Sequence, residues 1–138
     1  MAMKIKDTKT SVVAWSVSML HCHRTVARVW PKWVENDTPI ISGAQEFGHG
    51  EGSQHYGVKS GGYECEAADY DSPNLHEGNA EKLALALRKE LGEAYQVLIA
   101  WRAAGQTYYT KSAALKAQRE HGGILHVTHI HTEHDPRR

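Results

Sequence analysis

The C-terminal stretch of the chain constrains it most. Of ten histidines, five fall within the final 18 residues, as His121, His126, His129, His131 and His134. They are interleaved with Ile124, Leu125, Val127 and Ile130. A compositional metal tract needs no such apolar partners, so Ile124 to Thr132 reads as a strand of a folded sheet. Side chains of a strand alternate between its two faces, which places His129 and His131 on the same face.

The rest of the chain supplies a domain around that strand. Val12, Trp15, Met19, Val26 and Trp30 recur at roughly helical spacing behind Thr10 or Ser11 as an N-cap, which predicts a helix to about Trp30, limited by Pro31. Pro39 leads into a short buried strand, Ile40-Ile41, that ends at Ser42-Gly43. From Gly43 to Gly62 the chain is rich in Gly, Ser, His and Gln. That is a long polar loop of the sort that carries function. Tyr63 to Tyr70 reads as a strand and Asp71 to Gly78 as a turn region. Asn79 is expected to cap a helix to Leu91, with Leu83, Leu87 and Leu91 every four residues and Gly92 as C-cap. Tyr95 to Trp101 has strand composition, and Lys111 to Glu120 reads as a short helix closed by Gly122-Gly123. The expected architecture is α+β: one domain of 138 residues with a small antiparallel sheet and flanking helices.

Composition narrows the partners. Hydrophobic residues make up 41% of the chain and charged residues 23%, with a formal net charge of zero. A protein that grips nucleic acid by charge alone is thereby excluded. Cys22 and Cys65 are too few for a disulfide framework and lack CxxC spacing, so both are expected to be reduced, buried thiols. The apolar stretch Val12 to Leu20 is too short and too interrupted to span a membrane, and it lacks a small-residue cleavage site. No membrane partner and no signal peptide are expected. His21-Cys22-His23 lies inside an apolar helical pattern, where consecutive residues diverge, so packing and surface roles are expected rather than a shared metal. Trp15, Trp30, Trp33 and Trp101 are expected in the core.

Two segments carry the chemistry. One is His49-Gly-Glu-Gly-Ser53-Gln-His55-Tyr56, followed by Glu66-Ala67-Ala68-Asp69; the other is Thr128-His129-Ile130-His131-Thr132-Glu133. Two same-face histidines on a strand, a loop histidine and an acid offer N and O ligands. A catalytic zinc needs about three of them and an open position for water.

Ser53-Gln-His55-Tyr56, Ala67-Ala68-Asp69 and His129-Ile130-His131 resemble the SxHxxGxAxD and DxxH motifs of the zinc D-Ala-D-Ala carboxypeptidases and the phage L-alanyl-D-glutamate endopeptidases, which share a fold with the Hedgehog signalling domain. Pro39 to Gly43, Leu91 to Val97 and His129 to Pro136 extend the similarity, which spans about Val12 to Pro136 in outline. The resemblance implies a zinc ion held by His55, Asp69 and His131, with His129 as a neighbouring pocket residue. Ser53 and His49 would shape the loop that holds His55, and Gln45 and Ser53 are the candidates for contacting substrate. The implied substrate is a peptidoglycan stem peptide. The implied setting is a phage or prophage lysin, in the host cytoplasm before lysis or carried in the virion.

The chain departs from the pattern twice. His55 and Asp69 are fourteen positions apart, twice the family spacing, so Gly57 to Glu66 holds an insertion, with Gly61 and Gly62 in it. Glu64, Glu66 and Asp71 compete with Asp69 as the acidic ligand. The position of the family's general base, three residues before the last ligand, is Thr128. A threonine cannot take a proton from bound water at neutral pH, and a missing general base costs on the order of 10²–10⁴ in rate. Glu133, Glu66 and Glu64 are the candidate replacements. The alternative is a catalytically impaired metal-binding domain that serves a virion or binds cell wall.

Overall fold

The computed structural model describes residues 3–5, 15–35, 37–43 and 66–134. Among them the elements run β1 (Lys4–Ile5), α1 (Val17–Trp33), β2 (Ile40–Gly43), β3 (Ala67–Asp71), α2 (Glu77–Leu91), β4 (Tyr95–Ala103), β5 (Gln106–Tyr108), α3 (Lys111–His121) and β6 (His126–His134). The class is α+β. Five strands pair antiparallel and the two-residue β1 joins β2 in parallel, in the order β1-β2-β3-β6-β4-β5.

Helix α1 starts later than the periodicity predicts. Trp15 still lies in extended backbone, and Ser16 is the N-cap, its hydroxyl accepting the Met19 N–H at 3.1 Å. Met19, Cys22, Val26, Val29 and Trp30 then form the buried stripe. Pro31 does not stop the helix. It forfeits one backbone hydrogen bond, but fully buried Trp30 and Val34 hold the last turn down, and the Val34 N–H reaches the Trp30 carbonyl at 2.8 Å.

Helix α2 is capped three residues earlier than expected. His76 is the N-cap; its Nδ1 accepts the Gly78 N–H, and Asn79 accepts the His76 N–H at 2.9 Å. Asn79 thus acts in the first turn as the returning half of a capping box. Leu83, Leu87 and Leu91 are buried as expected, and Gly92 ends the helix at φ 81°.

The three helices share one core with a single face of the sheet. Ala68 and Tyr70 of β3, Val97, Ile99 and Trp101 of β4, and Val127 and Ile130 of β6 meet α1, α2 and α3 there. Trp33 departs from expectation, being 43% exposed. Two strands escaped sequence reading, β1 and β5. The second pairs with β4 through the loop Ala104-Gly105, with φ 50° and 76°. Paired positive φ angles are the geometry of a tight two-residue hairpin, and alanine there disguises it.

One irregularity in β6 positions the site. Ala100 faces His129 and Trp101 faces Val127, so Thr128 is an extra residue, a β-bulge. The bulge reverses the alternation. Val127 joins Ile130 in the core, and His129 and His131 fall on the face away from the helices. No helix among the described residues is long and apolar enough to cross a membrane.

Candidate functional site

The middle of the sheet pairs the two chemical segments directly. Asp69 of β3 stands opposite His131 of β6. Their side chains meet across the strands, His131 Nδ1 lying 2.8 Å from Asp69 Oδ1. The other ring nitrogen, Nε2, is 3.2 Å from Glu133 Oε1, two residues along the same face. His129 Nε2 lies 3.6 Å from Asp69 Oδ2. Of the predicted site residues, four therefore come together: Asp69, His129, His131 and Glu133.

Two carboxylates around one imidazole fix its charge. Burial pushes the His131 ring towards its neutral form, but the hydrogen bonds it donates to Asp69 and Glu133, with their negative charges, outweigh it and raise the pKa to about 9. In the metal-free protein the ring is a cation at neutral pH, bridging two anions.

Thr128 has a definite partner. Its hydroxyl lies 3.0 Å from His129 Nδ1 and 3.3 Å from the Ala100 carbonyl. Neighbouring strand residues normally point apart; the bulge brings these two within reach. The residue at the family's base position thus orients an imidazole.

Glu66, a candidate base, lies apart from that group. It pairs with His134, Oε2 to Nδ1 at 2.7 Å. His134 stacks near Tyr95, ring centroids 4.9 Å apart, and the Tyr95 hydroxyl donates to the Ser18 carbonyl of α1. Strand alternation explains the separation: Glu66 and His134 lie on the helix side, Asp69 and His131 on the other. Asp71, a rival of Asp69, stands opposite Ile40 of β2. His49, Ser53, His55, Gln45, Glu64 and Cys65 lie outside the described residues. Cys22 is a buried thiol, donating towards Thr132 Oγ1 at 3.5 Å.

Sequence reading missed Tyr109. It follows β5, and its ring meets that of His131 edge-on with centroids 5.8 Å apart. Burial, and then the charge of Asp69, raise the phenol pKa above its ordinary value, so it keeps its proton at neutral pH. The available signal was Ala104-Gly105 before Thr107-Tyr108-Tyr109, a turn followed by β-forming residues.

The chemistry of the donors bears on the zinc that the motifs imply. Two ligand atoms bound to one zinc at about 2.0–2.1 Å in a tetrahedral site lie roughly 3.3 Å apart. Asp69 Oδ1 and His131 Nδ1 are separated by 2.8 Å, so a small outward movement admits an ion between them. Glu133 would then accept the Nε2–H of His131, as the outer carboxylate of a carboxylate–histidine–zinc arrangement does. Among the described residues no three His, Cys, Asp or Glu side chains form a complete metal group, and the expected third ligand, His55, is outside them. The donors present fit two corners of such a site. Compared with known proteins, the chain matches no family model, no curated protein and no solved structure.

Proposed function

We propose that the chain is a zinc peptidase of the D-Ala-D-Ala carboxypeptidase and L-alanyl-D-glutamate endopeptidase kind, acting on peptidoglycan stem peptides. One observation carries the reading. Asp69 and His131, singled out by separate motifs 62 residues apart, are facing partners with donor atoms 2.8 Å apart. The α+β sheet with helices on one face is compatible with the fold that these peptidases share with the Hedgehog domain, which we propose for this chain. A phage or prophage origin follows the same resemblance.

Asp69 Oδ1 and His131 Nδ1 would hold the ion, with His55 as third ligand. Bound zinc supplies an electrophile for the scissile carbonyl and lowers the pKa of a coordinated water towards about 7. Glu133 holds the His131 Nε2–H and so fixes which nitrogen faces Asp69. His129, with Nε2 beside Asp69 and Nδ1 beside the Thr128 hydroxyl, would accept a proton from the attacking water.

Thr128 favours a second reading, a metal-binding domain without catalysis on the same scaffold, serving a virion or holding cell wall. Zinc analysis of the purified protein, together with release of muropeptides from cell walls by the wild type and by His131→Ala, separates the two. Zinc with cleavage that His131→Ala abolishes supports the peptidase. Zinc without cleavage supports the second reading, and absence of zinc from the wild type after loading overturns both.

A further inference from the structure

Hydrolysis of a peptide bond places negative charge on the carbonyl oxygen as the carbon becomes tetrahedral. That charge needs a hydrogen-bond donor fixed in advance. Asp69 and Glu133 are carboxylates and offer acceptors. Both nitrogens of His131 are engaged by them. Tyr109 packs its ring against His131 from a different part of the fold, and its phenol senses the charge of Asp69.

Its position is fixed from both sides. On one side the β4–β5 hairpin turns at Ala104-Gly105 and pairs Tyr108 with Trp101. On the other, Thr110 caps α3 by accepting the Ala113 N–H at 3.3 Å. Lys111 lies over the Trp101 ring, 5.7 Å from its centre, and pairs with Glu77 of α2. The backbone that carries Tyr109 is therefore tied to the core. The residue itself is 46% exposed, while its ring packs edge-on against His131. A phenol that touches the site and also meets solvent is accessible to an arriving peptide.

We propose that Tyr109 is a catalytic residue that donates a hydrogen bond from its hydroxyl to the carbonyl oxygen of the peptide bond being cut. The proposal rests on the zinc peptidase reading above. In the reaction the water oxygen bonds to the carbonyl carbon and the C–N bond breaks. The water proton passes to the leaving amine, and Tyr109 keeps its own proton throughout.

The test compares the zinc-loaded full chain with Tyr109→Phe, which removes the hydroxyl and keeps the ring. The substrate is a synthetic stem peptide, and the second probe is a phosphinate analogue of it, whose P–O⁻ oxygen imitates the charged oxygen. Loss of one such donor typically lowers kcat on the order of 10²-fold. Tyr109→Phe should show that loss with KM within about twofold, and the phosphinate affinity should fall by a similar factor, while zinc content stays at the wild-type level. An unchanged kcat, or a loss confined to KM, overturns the role of Tyr109 and leaves the peptidase standing. A zinc-loaded wild type that cuts no stem peptide overturns the peptidase and this role with it.

Discussion

Two histidines of this protein are equally buried and carry opposite charge states. His23 on α1 is 9% exposed and His131 on β6 is 8% exposed. Burial lowers the His23 pKa to about 4, whereas His131 is raised to about 9. Their neighbours make the difference. His23 shares a hydrogen bond with the Tyr70 hydroxyl and packs edge-on against Trp15, its buried Nε2 having no hydrogen-bond partner among the described residues. His131 sits between Asp69 and Glu133. Tyr70 and Asp69 are consecutive residues of one strand, so the pleat alone separates a neutral polar network from an ionic one. Burial alone keeps His23 neutral, and at the same depth two carboxylates reverse that outcome for His131.

Breaking the ionic side should give the largest effect. On the proposed peptidase reading, His131→Ala should lower stem-peptide cleavage by more than about 10³-fold, with zinc lost on dialysis; removing a residue that a catalytic unit depends on costs about this much. A His23→Phe variant, by contrast, should keep both zinc and activity.

The pH response sharpens the contrast. The folded-state pKa of His23 lies below that of an unfolded histidine near 6.5, so its contribution is fully present above that value and is lost as the pH falls towards 4. The cost is on the order of 3 kcal/mol. For His131 the folded-state value is raised, so its contribution in zinc-depleted protein is present below pH 6.5 and lost as the pH rises through about 9. Urea midpoints across this range, with NMR titration of both rings, check the two slopes. A single slope shared by both histidines would remove the comparison.

Smaller effects should follow at the neighbours. Glu133→Gln keeps an acceptor but no charge, and should weaken zinc by about 10–100-fold, as loss of an outer-shell partner does. If Asp69→Asn weakens zinc less than Glu133→Gln, the ion sits on the Nε2 side of His131 and the ligand assignment changes. On the helix side, Thr132→Val removes the hydroxyl that donates to the Ala68 carbonyl at 3.1 Å and accepts from Cys22. It should cost about 1 kcal/mol of stability and leave zinc affinity alone, as calorimetry would show.

The sequence made the shared face of His129 and His131 readable because alternation is a local rule. Pairing with Asp69 was readable only through motif similarity, since register is set by contacts between distant segments. Glu66 and Glu133 were equal candidates as bases. Only the pairing of Ala67 with Glu133 decided which acid lies beside His131. Tyr109 stayed hidden because Ala104-Gly105 is a poor advertisement for a hairpin. The start of α2 moved because a histidine capped it, an uncommon choice that capping preferences pass over.

The extra residue at Thr128 has a consequence for any attempt to edit this chain. Upstream of it, odd-numbered side chains of the strand belong to the interior; downstream, odd-numbered ones belong to the opposite surface. Deleting this single position would restore regular alternation, with Val127 still in the hydrophobic interior and the imidazoles still on the opposite surface. What the strand would lose is its local bend and the hydroxyl beside the His129 ring. A one-residue deletion there should therefore be better tolerated than one elsewhere in the strand, where every side chain beyond the cut would change faces.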